Sequence, residues 1–121
     1  MTDPKRWAEE FFPLVDRFDA DAVAARMAPD GVLISTNDDP IVGRDGMRGA
    51  VVAFSQGVTS LHHEVLRAWR SGQTIIVELK VTYVRLDGRK TVLPCANIFD
   101  LTEDDLISNY QIFMDMTPVF A

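Results

Sequence analysis

This sequence is short of the residues that disulfide, metal and membrane functions depend on. It has one cysteine and two histidines among 121 residues. Cys95 has no partner for an intrachain disulfide, and a lone thiol in a mostly apolar stretch fits a reducing compartment. His62 and His63 are neighbours, so on a strand they point to opposite faces, and no third ligand has suitable spacing. Zinc is therefore not expected, and neither is a cofactor. Basic residues are in deficit too. Twelve Lys and Arg against 18 Asp and Glu give a net charge of −6, which argues against general nucleic-acid binding. No apolar run approaches the ~20 residues that span a bilayer. Met1 to Glu10 carries Asp, Lys, Arg and two Glu where a signal peptide would turn apolar. The expected location is cytoplasmic. There is no internal repeat, and Gly43, Gly46 and Gly49 lack the preceding βαβ context of a phosphate loop.

What is present suits one folded domain over residues 1–121. Hydrophobic residues make up 47% and charged residues 25%, ordinary values for a globular chain. A chain of this length buries roughly two-thirds of its unfolded surface without covalent help. From Pro4 to Ala28 the apolar residues Trp7, Phe11, Leu14, Val15 and Phe18 recur at helical steps, with Glu9, Asp16 and Arg17 between them. Asp3 and Pro4 suit its start. Pro13 predicts a break near the middle, and Asp19 and Asp21 predict a restart through Ala22 to Met27. Pro29-Asp30-Gly31 reads as a turn, Gly31–Ser35 as a short strand, and Ile41-Val42 as another strand fragment. A helix capped by Asp45 runs to about Gln56.

Beyond Gly57 the chain changes character. Ser60–Trp69, Thr74–Arg85, Lys90–Leu101 and Leu106–Met116 read as strands separated by Ser71-Gly72, Asp87-Gly88 and Glu103-Asp104. Helices followed by a meander of long strands predict an α+β fold. In the last run Asn109, Gln111, Phe113 and Asp115 oppose Tyr110, Ile112, Met114 and Met116. The preferred assignment turns Asn97, Gln111 and Asp115 toward the helices, around a cavity. It leaves Tyr110, Ile112, Met114 and Met116 facing a second copy of the chain as a homodimer.

Five strings, in order, resemble the nuclear transport factor 2-like superfamily, in its SnoaL-like and ketosteroid-isomerase-like branch. They are Met27-Ala28-Pro29-Asp30-Gly31-Val32, Val42-Gly43-Arg44-Asp45-Gly46-Met47-Arg48, Leu61-His62-His63-Glu64-Val65 with Trp69, Tyr83-Val84-Arg85-Leu86-Asp87-Gly88-Arg89, and Tyr110-Gln111-Ile112-Phe113-Met114-Asp115-Met116. The resemblance implies a curved sheet wrapped by N-terminal helices around a conical pocket, and commonly a dimer through the outer sheet face. It does not fix a function, since one scaffold carries many chemistries. A ketosteroid isomerase's tyrosine falls at Phe11 and its base near Ser35, so that set is missing. The Arg and first Asp of a limonene-epoxide-hydrolase set fall near Leu79 and Val81, so that triad is missing too. SnoaL-like cyclases use a late-strand Asp, which Asp115 matches.

Two functions compete on these residues. One is proton-transfer chemistry on a hydrophobic small molecule, of isomerase, cyclase or hydrolase type. Asp115 would be its acid/base and His63 the partner. Tyr83 and Asn97 would be polar anchors, and Trp69, Gln111, Phe113, Phe11, Phe54 and Phe99 would contact the ligand. The other is a non-catalytic ligand-binding or accessory domain. Whether Asp115 and His63 converge on one cavity discriminates the two.

Overall fold

A computed structural model describes residues 2–121. Asp3 caps the first helix, α1 (Pro4–Asp16), its carboxylate accepting from the backbone N–H of Arg6 at 3.0 Å. Pro13 lies inside α1 and does not break it. The bond it cannot donate belongs to the last turn, on the exposed side that Glu9 and Pro13 share. The break comes later, at Phe18, whose φ of 54° ends the helical path. Asp19 then caps α2 (Ala20–Ala25) through Ala22 N–H at 3.2 Å.

The chain next enters β1 (Met27–Ser35), so Pro29-Asp30-Gly31 belongs to a strand and not to a turn. The turn chemistry there marks an irregularity in pairing between Met27 and Val32. A side chain on Gly31 would come within 2.6 Å of the Ile107 carbonyl oxygen, so only glycine lets the two backbones cross. After β2 (Ile41–Val42) comes α3 (Gly43–Gly57). Asp45 sits in its first turn without capping it, where its charge still suits the helix dipole.

Four strands follow: β3 (Val58–Ser71), β4 (Thr74–Arg85), β5 (Lys90–Leu101) and β6 (Ile107–Phe113). The sheet order is β2-β1-β6-β5-β4-β3, antiparallel except for the parallel β1–β6 pair. This curled, unclosed sheet with helices on its inner side is the α+β arrangement the element order predicts. A last short helix, α4 (Thr117–Phe120), follows β6.

Register decides which residues share a face. Asn97 pairs with Ile112 and Phe99 with Tyr110, while Ile98 pairs with Gln111 and Ala96 with Phe113. Directly paired residues point the same way. Phe99 is fully buried, packed against Trp7 at 4.7 Å and Tyr110 at 4.3 Å between ring centroids. Tyr110 and Ile112 therefore face the helices, and Gln111 and Phe113 face outward. This reverses the expectation for β6.

Candidate functional site

Between the inner sheet face and the helices lies a cavity of about 460 Å³. Its walls are mostly apolar, from Val15, Leu33, Met47, Val51, Phe54 and Ile112 among others. The polar groups on the wall are Ser35, Asp38, His63, Tyr83, Cys95, Asn97 and Tyr110. A few fixed polar groups in an apolar shell is the usual make-up of a small-molecule site.

His63 reaches the cavity because β3 pairs it with Val81, an inner-face residue of β4. Its side chain is 8% exposed. Phe12 stacks on the imidazole at 4.6 Å between ring centroids. The Asp16 carboxylate, at the end of α1, grips His63 twice. Its Oδ1 lies 2.6 Å from His63 Nδ1, and its Oδ2 accepts the His63 backbone N–H at 3.0 Å. An ionised carboxylate only accepts, so Nδ1 carries the proton, and the free lone pair of the neutral ring is on Nε2. No residue bonds Nε2 among those described. Exposed His62, facing outward, sits 3.4 Å from the other Asp16 oxygen.

Tyr83 and Tyr110 project from β4 and β6. The Tyr83 hydroxyl donates to the sulfurs of Met114 and Met116, at 3.4 and 3.5 Å. Tyr110 accepts from Asn97 Nδ2 at 3.2 Å, and the Cys95 thiol donates to Asn97 Oδ1 at 3.3 Å. Burial pushes both phenols well above their ordinary proton affinity, with smaller contributions from Cys95 and Asp16. Burial alone pushes the Cys95 thiol up to about 12. At neutral pH all three are protonated donors.

The sequence-derived candidates separate sharply. His63, Tyr83, Asn97 and Phe54 line the cavity together. Phe11 and Phe99 lie behind the wall in an aromatic cluster, fully buried and not on the cavity surface. Trp69, Gln111 and Phe113 are on the outer face. Trp69 is stacked by the Arg67 guanidinium at 5.1 Å. Tyr110, Ile112, Met114 and Met116 line the cavity and not a partner-facing surface.

Asp115 is off the end of β6 and exposed, its carboxylate accepting from Thr117 N–H at 3.0 Å. Hydrogen bonds from Thr117 hold it below the ordinary carboxylate range. It does not converge with His63. The carboxylate that does is Asp16, which the sequence reading passed over as a surface residue. One signal was available: Asp16 follows buried Phe12 by one helical turn, so it shares the face α1 turns to the sheet.

A family model for the SnoaL-like domain matches residues 8–110. The chain belongs to that family. No curated protein matches the sequence. Among solved structures, the SnoaL-like chain is similar to a nuclear transport factor 2-like protein of unknown function from Burkholderia pseudomallei. That match has a TM-score of 0.86 at 16% identity, covering 99% of this chain and 96% of the other. It is also similar to SalBIII, an epoxide hydrolase/cyclase-like enzyme of pyran ring formation in the polyether salinomycin. There the TM-score is 0.81 at 18% identity, covering 94% and 92%. An LEH-like epoxide hydrolase of M. tuberculosis superimposes with a TM-score of 0.79 at 17% identity, covering 97% and 86%. At these identities the likeness shows the SnoaL-like fold and leaves the chemistry to the residues.

No helix of the described residues is long and apolar enough to cross a membrane. Among them no group of three or more His, Cys, Asp or Glu could hold a metal ion.

Proposed function

We propose that the chain binds a hydrophobic small molecule in its cavity and moves a proton on it, with His63 as the acid/base. The observation that carries this is the double grip of Asp16 on His63, a residue of the cavity wall, which fixes the ring's orientation and tautomer and leaves Nε2 unbonded by the described residues. Asp16 is the positioning residue and compensates the imidazolium that forms. Neutral Tyr83 and Tyr110 lie on the same wall, and phenols kept protonated by burial stabilise an oxygen on which negative charge develops. Together they suit proton abstraction beside a carbonyl, as an isomerase- or cyclase-type reaction requires.

The test is hydrogen–deuterium exchange at the carbon next to the carbonyl of 1-tetralone in D2O, followed by NMR. The wild-type chain accelerates exchange; H63N does not, and D16N loses most of the acceleration. Equal exchange by H63N and wild type defeats the assignment.

A second reading, binding without catalysis, is favoured by the placement of Asp115. The only carboxylate on the cavity wall among the described residues is Asp38, which is exposed. That reading holds if 1-tetralone binds and its exchange is no faster than in buffer.

The outer sheet face supports a homodimer through residues other than those first expected. Trp69, Ile76, Val92 and Phe113 are 37–53% exposed, and the pairing puts Trp69 in line with Ile76 and Ile98. Such a patch suits a second copy of the chain. A cytoplasmic location is consistent with the single, protonated thiol of Cys95.

A further inference from the structure

A second concavity, a surface groove, lies on the far side of His63 from the ligand cavity, between α1 and the edge of the sheet. Its charged and titratable members are Glu9, Asp16 and Arg17 from α1, and His62, His63 and Glu64 from β3. His63 lines both the groove and the cavity, so its side chain is part of the partition between them.

β3 is the last strand of the sheet, so one row of its backbone groups has no neighbouring strand. Asp16 meets that open edge and takes the His63 backbone N–H, at 3.2 Å to Oδ1 and 3.0 Å to Oδ2. Successive side chains leave a strand on opposite faces, and a carboxylate seated at the edge lies between those faces. It therefore reaches the rings of both neighbours. His63 Nδ1 is 2.6 Å from Oδ1, and His62 Nδ1 is 3.4 Å from Oδ2. The settings of the two rings differ. The His63 side chain is 8% exposed and that of His62 is 74% exposed, so one serves the cavity and the other meets solvent.

One carboxylate carries one negative charge and compensates one imidazolium. A second proton on the two rings meets a like charge with nothing further to offset it. The other charged groups around them are Glu9, Arg17 and Glu64, with Lys80 of β4 opposite Glu64 in the ladder. On the cavity side, burial keeps Tyr83, Tyr110 and Cys95 protonated. Carboxylates, guanidinium and ammonium groups ordinarily change charge outside about pH 5 to 8, and histidine changes charge inside it.

We infer that His62 is a positioning residue for His63: a surface histidine whose charge sets the strength of the cavity-side base through the carboxylate they share. This rests on the reading that His63 is the acid/base. While His62 is neutral, Asp16 serves His63 alone and favours the imidazolium that forms when the ligand gives up its proton. Once His62 is protonated, its Nδ1–H draws on Oδ2, and an imidazolium on His63 is less favoured. His63 is then a weaker base that remains unprotonated further into acid.

The experiment fixes the charge at position 62. H62K carries it throughout, H62Q never does, and each leaves His63 as the sole histidine. Nitrogen-15 NMR follows the His63 ring as pH is varied, which needs no turnover. The His63 midpoint in H62K lies about half a pH unit below that in H62Q, the scale of one partly exposed charge pair. The wild-type curve follows H62Q at its alkaline end and approaches H62K at its acid end. T82K puts the same charge opposite position 62 on β4, one strand further in from the edge, and moves the midpoint much less. At pH 8, H62K exchanges the 1-tetralone hydrogens about threefold more slowly than H62Q. Without exchange in the wild-type chain the acid/base reading fails, and separated midpoints still uphold the coupling. Coincident midpoints in H62K and H62Q, a higher one in H62K, an equal shift in T82K, or equal exchange by H62K and H62Q where the wild type is active overturns the inference.

Discussion

The inner and outer faces of the sheet are built from the same strands, yet they obey different rules. On β3, His63 faces inward, stacked on Phe12 and gripped by Asp16, while its neighbour His62 faces solvent. On β5 and β6, fully buried Phe99 is paired with buried Tyr110, whereas Phe113 opposite Ala96 is 46% exposed. One residue's shift along a strand thus separates a group packed against the helices from one left on the open outer face.

The largest expected contrast follows from that. Phe99→Ala empties the centre of the aromatic cluster and should cost about 3–5 kcal/mol in urea unfolding. Phe113→Ala on a monomer should stay within about 1 kcal/mol. A large loss at Phe113 that depends on protein concentration would sharpen the comparison, because it would show the outer face covered by a second copy.

Asn97 tests the polar side of the inner face. It is 1% exposed and joins Cys95 to Tyr110. Asn97→Ala strands both partners and should cost about 1–3 kcal/mol. An effect near zero would mean that the bridge contributes nothing the cavity needs.

A smaller effect is expected at alkaline pH. The Cys95 thiol titrates at about 12 in the folded chain against an ordinary 9.0. Its folded-state value is the higher one, so its contribution is complete below about 9 and is lost as pH rises from there toward 12. Tyr83 and Tyr110 act in the same direction, from their ordinary 10.0 upward. Cys95→Ala should flatten the alkaline fall in unfolding midpoint without abolishing it. The native thiol should react with a disulfide reagent at pH 8 far more slowly than the unfolded one.

The smallest effect belongs to Asp115. Its folded-state value is lowered by the Thr117 hydrogen bonds, so what it contributes is present above 3.8 and lost as pH falls below. The group is exposed and screened, so Asp115→Asn should leave the thermal midpoint and 1-tetralone binding unchanged. A lost binding signal would mean that the carboxylate reaches the cavity after all.

How much of this was legible in the sequence divides along the same line. Some local signals held: Asp3 and Asp19 cap helices, and β4 alternates with Ile75, Val77, Leu79, Val81 and Tyr83 all buried, whereas Pro13 did not break α1, Pro29-Asp30-Gly31 entered β1 and Asp45 did not cap α3. The phase of β6 did not follow from its pattern. Both of its faces carry large apolar groups, so alternation could not choose between Tyr110 and Phe113. The choice is made by pairing with Phe99, whose place is fixed by Trp7 and Phe11 far away in the chain. Asp115 looked like a strand residue only because the run of apolar residues continues past the last ladder pair at Phe113. His63 was visible as a candidate, but its partner was not, because Asp16 lies 47 positions earlier. The polarity of Asp16 hid a buried role that its turn-by-turn alignment with Phe12 would have suggested.

The grip of Asp16 has one more implication. The carboxylate sits in the final residue of α1, and it clasps both the ring and the backbone of a strand residue. The proposed base is therefore assembled by the docking of a helix and not by the strand that bears it. Should α1 lift from the sheet, His63 would remain in its strand with its tautomer unfixed and its ring free to turn. Competence would then vanish while much of the β-structure persisted, so loss of proton exchange should run ahead of the loss of strand signal on gentle denaturation.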